Sequence, residues 1–465
     1  MRDFAIRLPQ PTHPTLSRRA LLGQATCGIG TLALAGLCQQ ARADRATPLS
    51  PKQPHHTPRA KRMIFLHMRG GPAHMEPFEH KPELAKRHGT NGRNGKRKLI
   101  ASKWRWQQRG ESGLWVSDLV KHQARHADKL CVLSGMHTDI ANHTPAMLFL
   151  HTGSFTFARP SLGSWLLYGL GTANQNLPGF VSICPPLING GTSNYGTAFL
   201  PSVYQGTAIG DIKTPVRNAR IGNISNPRLG TSAQRKQLDL LQSINRDLAT
   251  RAPYVTRIDW VIQSYELAFR MQAELPQVMD LSSETRSPQQ MYGIGEGRRS
   301  DNFGRQCLMA RRLIEAGVRH GEGCDEFWDQ HGGLEKGHQA RADATAQPAA
   351  ALLADLEQRG LLQDTLVMMM GEFGRTPVIN NQAGRHHWVN NMSMVVAGGD
   401  MPHGQVIGSS DKRGGSIHSG SVRPQDLAAT TFHHLGIAPD THWIAPSGRP
   451  IPIITENGRL IPELT

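Results

Sequence analysis

The chain has 465 residues, with 52 Lys and Arg against 36 Asp and Glu, and a formal net charge of +16. That length buries a large core, as one big α/β domain or two smaller ones. The positive balance suits anionic surfaces or substrates, but no basic-aromatic repeat, zinc-finger spacing or helix-turn-helix pattern supports nucleic-acid binding.

Residues 1–43 read as a signal peptide. Ser17-Arg18-Arg19 leads into a small, apolar run ending at Leu37, and Ala41-Arg42-Ala43 precedes Asp44 as a cleavage signature. The adjacent arginines point to the twin-arginine route, and so to a periplasmic or secreted protein. The apolar run is too short and too rich in Gly and Ala for a good spanning helix, so no transmembrane segment is expected after its removal. The removed part carries five arginines and one aspartate, a net of +4, which leaves 422 residues with +12 of the +16. Cys27 and Cys38 leave with it. Cys131, Cys184, Cys307 and Cys324 remain, widely spaced, which excludes a disulfide scaffold and a cysteine zinc site and leaves room for one bridge.

Residues 44–61 are rich in Pro, His, Lys and Arg and read as a flexible leader; the remaining domain is expected over 62–465. Arg62–Met68 is a short apolar run ended by Arg69-Gly70-Gly71-Pro72, a buried strand followed by a glycine turn. Leu119–Ala127 predicts a helix, Leu130–Ser134 a second strand, Thr144–Leu150 the start of a helix and Leu162–Leu170 another. Residues 171–228, full of Gly, Pro, Asn and Ser, read as an irregular region laid over the core. Over 231–280, Leu238, Leu240, Leu241, Ile244 and Leu248 fall near helical spacing, as do Ile258, Ile262, Tyr265, Leu267, Phe269 and Met271, and an inserted helical pair packed on the core is expected. A helix over Phe303–Ala316 closes at Gly317. Another runs over Pro348–Gln358, with Pro348 in its first turn. Leu366–Met370 and Met394–Ala397 are continuous apolar runs, as in strands buried on both faces. Leu427–Leu435 is a last helix, with His433 and His434 on its surface. Strands alternating with helices predict an α/β fold, three layers α/β/α with a mainly parallel central sheet. In such sheets ligands sit beyond the carboxyl ends of the strands.

Polar residues cluster there. His67, Arg69, His74, Glu76 and Glu79 follow the first strand; His137, Asn142, His143 and Thr144 follow the second. Asp329 and His331 lie in the middle, Glu372 and Arg375 follow Met370, and Arg385, His386 and His387 come next. Metals that bind oxygen and imidazole need carboxylates and neutral histidines from separate segments. Asp329, His331, Glu372, His386 and His387 meet that need as candidate ligands for zinc, manganese or calcium. One or two ions there could assist displacement at phosphorus or sulfur. Thr144, beside His143 at a helix start, is the candidate nucleophile, with a metal-bound water as the alternative; as an ordinary helix residue Thr144 would be an N-cap. Arg375 or Arg385 could hold an anionic oxygen. Glu372 could instead pair with Arg375 across a turn.

His67-Met68-Arg69-Gly70-Gly71-Pro72-Ala73-His74, Asn142-His143-Thr144-Pro145-Ala146, Trp328-Asp329-Gln330-His331-Gly332, Gly371-Glu372-Phe373-Gly374-Arg375-Thr376-Pro377 and Ala397-Gly398-Gly399 occur in this order. Together they resemble the sulfatase-like family known as domain of unknown function (DUF) 1501, over about residues 62–440. The resemblance implies an alkaline-phosphatase-like fold with metal-binding loops at one edge of the sheet. The strand leading to Glu372 resembles the one that delivers an Asp-His metal pair in sulfatases; here Glu372-Phe373 stands instead. The chain departs from the pattern elsewhere too. Arg69 occupies the place of a carboxylate after the first strand, Glu76 and Glu79 stand where family members often have Asp, and Arg385-His386-His387-Trp388 replaces Arg-Asp-His-Trp. Fewer carboxylates favour a single, imidazole-rich metal site. No C/S-x-P-x-R nucleophile motif is present, which argues against formylglycine chemistry.

Two functions follow as expectations. One is a metal-dependent hydrolase of phosphate or sulfate esters, with a small anionic or polysaccharide-type ester as substrate. The other is a non-catalytic envelope protein for binding or assembly that retains the fold with a degenerate metal site.

Overall fold

The computed structural model describes residues 47–465 apart from 93, 94, 96, 223, 227, 252–256 and 456; the expected signal segment lies outside the described residues. The apolar runs become a central sheet: β1 (Arg62–Met68), β2 (Leu130–Met136), β3 (Phe180–Ile183), β4 (Thr207–Ile209), β5 (His320–Asp325), β6 (Thr365–Met370), β7 (Met392–Ala397) and β8 (Gln405–Ile407). Their order is β8-β2-β7-β6-β1-β5-β3-β4. All pairings are parallel except those of β7, which runs antiparallel to both β6 and β2. Nearly every residue of β1, β2 and β6 is buried. That explains their unbroken apolar sequences, since a strand covered on both faces has no polar side to alternate with.

The covering helices are α1 (His143–Thr152), α2 (Leu162–Leu170), α3 (Thr231–Arg251), α4 (Arg257–Met279), α5 (Asp301–Glu315), α6 (Leu334–Gln358) and α7 (Pro424–His434). On one face, Met63, Phe65, Met368 and Met370 meet Leu150 of α1, Leu162 of α2 and Leu427 of α7. On the other face α5 packs on β1 and β5, and α6 packs on α5. The fold is therefore the three-layer α/β/α arrangement, with one strand reversed.

Several elements differ from expectation. The irregular region 171–228 supplies β3 and β4, the last two strands at one edge. β5, with the sequence His-Gly-Glu-Gly-Cys-Asp, has no apolar signature. Its register comes from β1 and β3 on either side, and its glycines admit α5: a Cβ on Gly323 would stand 3.2 Å from the Gln306 side chain. The helix expected at 119–127 is two 3₁₀ turns, Asp118–Val120 and Gln123–Lys129, the second broken at His126. α6 begins at Leu334, so Pro348 sits inside it and removes one backbone hydrogen bond. The α3–α4 pair forms, and α4 packs on the core through Leu267, Met271 and Leu275, but the leucine stripe of α3 does not: Leu240 is 64% and Ile244 57% exposed. His434 is fully buried rather than on the surface of α7. Residues of the expected leader are held by backbone bonds, Lys52 N–H to Leu170 O at 3.0 Å and Arg59 N–H to His434 O at 2.9 Å. Cys131, Cys184, Cys307 and Cys324 are all buried and free, so none is bridged. Among the described residues, no helix is long and apolar enough to cross a membrane.

Candidate metal centre

The loops after β1, β2, β5 and β6 meet beyond the carboxyl ends of their strands. Gly70 makes this possible. Its φ is +113°, and a Cβ there would lie 2.4 Å from the Asp329 backbone nitrogen, so a side chain would push the β1 and β5 loops apart. The freed Gly70 N–H donates to both Glu372 oxygens, at 3.0 and 3.1 Å. A two-residue ladder pairs Arg375 with His387 and brings the second histidine segment over the first.

Asp329 is the hub. Its Oδ2 lies 3.1 Å from His143 Nε2, and its Oδ1 lies 3.0 Å from His331 Nε2 and 3.2 Å from His387 Nε2. The Arg375 guanidinium also donates to Oδ1. His331 Nε2 and His387 Nε2 are 3.0 Å apart. The ligand atoms of His143, Asp329 and His387 all lie within 4.8 Å of one another. Two of these rings are anchored from behind. His143 Nδ1–H donates to Glu372 Oε1 at 2.6 Å, and His387 Nδ1–H donates to Ala141 O at 2.6 Å. Each anchor fixes a tautomer in which Nε2 faces Asp329, the arrangement of metal-binding histidines. Phe373 walls the rings, 4.9 Å from His143 and 4.3 Å from His387 between centroids.

Charge follows the contacts. Burial would raise both carboxyls, but hydrogen bonds and positive neighbours win. Asp329 is held well below the usual carboxylate range by His143, His387 and Arg375. Glu372 is held likewise by His143 and by His67, whose Nε2 is 3.4 Å away. Burial lowers His143, yet Asp329 and Glu372 raise it to about 9. Burial lowers His331, against the pull of Asp329.

The expected residues therefore do converge, with roles redistributed. Glu372, expected as a ligand, is sealed beneath the cluster and orients His143. His143, expected beside the nucleophile, presents a ligand nitrogen. His386 touches His331, Nδ1 to Nδ1 at 3.3 Å, and reaches no carboxylate. Thr144 is not the cap of α1: Asn142 is, accepting from Thr144 N–H, while the Thr144 hydroxyl donates to Asn189 Oδ1 at 3.1 Å. Arg375 is fully buried, and it also donates to the carbonyls of Gly70, Gly71 and Arg385. It thus has no exposed atom for a substrate, and it does not pair with Glu372 across the turn. Arg385 is equally buried, bonded to Thr376 O, Ile100 O and Glu76. Glu79 accepts from Ser410, Asn391 and Lys81, and so supports the loops. Arg69 pairs with Glu326.

One carboxylate and three imidazoles form a donor set suited to zinc and related ions, with an exposed side left open at His331 and Asp329. Sequence reasoning missed a second group, His67, His151 and Glu322, whose ligand atoms also lie within 4.8 Å of one another. His151 is on an apolar helix and Glu322 in a strand without apolar pattern, so neither stands in a polar loop.

No curated protein matches the sequence. Among solved structures, the chain is similar to a phosphonate monoester hydrolase from Silicibacter pomeroyi, with 9% identity, TM-score 0.37, and 86% of this chain and 76% of that one covered. It is also similar to a sulfatase from Pseudoalteromonas sp., with 12% identity, TM-score 0.35, and 87% and 74% covered. A lipoteichoic acid synthase from Listeria monocytogenes has 9% identity and TM-score 0.35, with 85% and 74% covered. Residues 60–465 match the family model described as protein of unknown function, DUF1501, and the chain belongs to that family.

Proposed function

We propose that this chain is an exported, metal-dependent hydrolase of phosphate or sulfate esters. The observation that carries the reading is the pair of back-anchored histidines, His143 and His387, whose Nε2 atoms converge on Asp329 beyond the strand ends. His143, Asp329 and His387, with His331 at the rim, would hold one divalent ion, zinc fitting the donors best. Such an ion polarises the ester and lowers the pKa of water. Arg375 positions Asp329, and Glu372 positions His143. Thr144 has an exposed hydroxyl next to His143 but no base bonded to it, so water serves better as the nucleophile.

The substrate is an ester on a small anionic molecule or a polysaccharide. Phe327 supports a sugar: it is 68% exposed, two residues before Asp329, at a φ of +72°. A bulky residue held at positive φ is strained, and strained positions gather at ligand sites. The export half of the reading rests on Arg18-Arg19 and Ala41-Arg42-Ala43.

The test is metal analysis of the full exported protein, then turnover of p-nitrophenyl phosphate, phosphonate and sulfate esters. An ion at this centre, lost in His387→Ala, and hydrolysis of at least one ester class are expected. Protein that refuses zinc, manganese and calcium, and is inert to every ester, would leave the envelope-protein reading standing.

A further inference from the structure

Behind the surface centre, on the face of the sheet covered by α1 and α2, lies a second set of ligand-type side chains. His67 comes from β1, Glu322 from β5 and His151 from the last turn of α1. They are 0%, 3% and 5% exposed. Nδ1 of His67 and Nε2 of His151 have no hydrogen-bond partner, and Nε2 of His67 has only Glu372 Oε2 at 3.4 Å. That is costly in a core, where nearly all polar atoms are paired. His151 Nε2 and Glu322 Oε1 are 3.6 Å apart, too far for a good hydrogen bond. The separation is instead close to the edge of a zinc tetrahedron with bonds of 2.0–2.1 Å, about 3.4 Å. His151 and Glu322 also line a cavity of about 30 Å³, whose other walls include Met63, Phe65, Met368 and Met370. A space of that size holds a water or an ion.

We propose that His67, His151 and Glu322 form a buried, structural divalent-metal site, separate from the surface centre and suited to zinc. The three groups belong to three different elements, so an ion clamps α1 to the β1–β5 half of the sheet. The site also stands directly behind the catalytic proposal, because His67 Nε2 is 3.4 Å from Glu372 Oε2, and Glu372 orients His143. Two imidazoles and a carboxylate select late first-row ions over calcium or magnesium, which prefer oxygen. An ion enclosed in this way exchanges slowly and resists chelators.

The test starts from the full chain carrying Asp329→Asn and His387→Ala, which disables the surface centre and leaves the buried residues untouched. Purified with zinc, this variant is expected to retain about one equivalent of zinc per chain after dialysis against a chelator. Refolded with Co²⁺, it should show visible absorption from nitrogen and oxygen ligation. Glu322→Gln in the native background, nearly isosteric, should lose that equivalent and keep the surface one. A surface variant that folds, retains no metal and gives no Co²⁺ absorption overturns the proposal, and means that the cavity holds water. A folded Glu322→Gln protein that keeps both equivalents overturns the ligand assignment. Failure of the surface centre alone reads differently: the native protein then holds one equivalent, which His387→Ala does not remove.

Discussion

The two histidine clusters solve the same problem at different depths. At the surface, four groups surround Asp329, and each histidine already has a partner. In the core, His67 and His151 have unpartnered nitrogens and Glu322 has no cation beside it. The acids respond in opposite directions. Glu372, fully buried, stays far below the usual carboxylate range because His143 and His67 press on it. Glu322, equally buried, is pushed up to about 8 by burial alone. Depth therefore does not set the charge of a carboxyl; the neighbours at that depth do. The surface centre is preorganised without an ion, whereas the core cluster is incomplete without one.

The largest change expected is from Asp329→Asn. It removes the charge on which three histidines and Arg375 converge, so surface metal affinity should fall more than about 100-fold, beyond the loss typical of an outer partner. Ester hydrolysis should be abolished with it. Isothermal titration with zinc and initial rates check this, and retained hydrolysis would place the chemistry elsewhere.

Glu372→Gln should weaken the same binding about 10–100-fold, because it acts through the orientation of His143. In the metal-free protein it should also lower the His143 pKa from about 9. A histidine raised in the fold contributes stability that is fully present below its unfolded value near 6.5 and lost as pH rises through the folded one. The native protein should thus lose stability between about pH 6.5 and 9, and the variant, in which only Asp329 still raises His143, should lose less over a narrower range. An NMR titration and urea unfolding across that range separate the two.

For the core cluster the sign comes from an acid raised to about 8. Its contribution is fully present below the unfolded value near 4.5 and lost as pH rises through 8. The metal-free protein should lose up to about 5 kcal/mol across that range, and Glu322→Gln should flatten the slope. Added zinc should remove the loss in the native chain. Melting temperatures with and without zinc decide it, and identical curves would make the core cluster a passive one.

The smallest effect is expected from Thr144→Ala. Its hydroxyl bonds Asn189 and no base, so turnover should fall less than about tenfold. A loss of 10³ or more would restore it as the nucleophile.

The apolar runs at β1, β2, β6 and β7 were legible, because a strand buried on both faces must be apolar throughout. So was the polar segment after β6, which is why Glu372 and His387 could be named in advance; Asp329 and His331 were named from the residue types of their own segment, with no strand read before it. β5 was not legible, because its place depends on the two strands beside it and on glycines that admit α5. The exposed stripe on α3 was misread for a related reason, while α4 packs on the core as expected: helical period reports an apolar face, and it does not report what covers that face.

By itself the sequence determined which residue types stand at strand ends, and hence the family. Tertiary structure alone decided their roles. It placed Glu372 behind His143, turned Arg375 inward to carbonyls and gathered His67, His151 and Glu322 in the core. The reason is physical. Ligation and proton affinity depend on separations of a few ångströms between segments distant in the chain, and linear spacing fixes none of those.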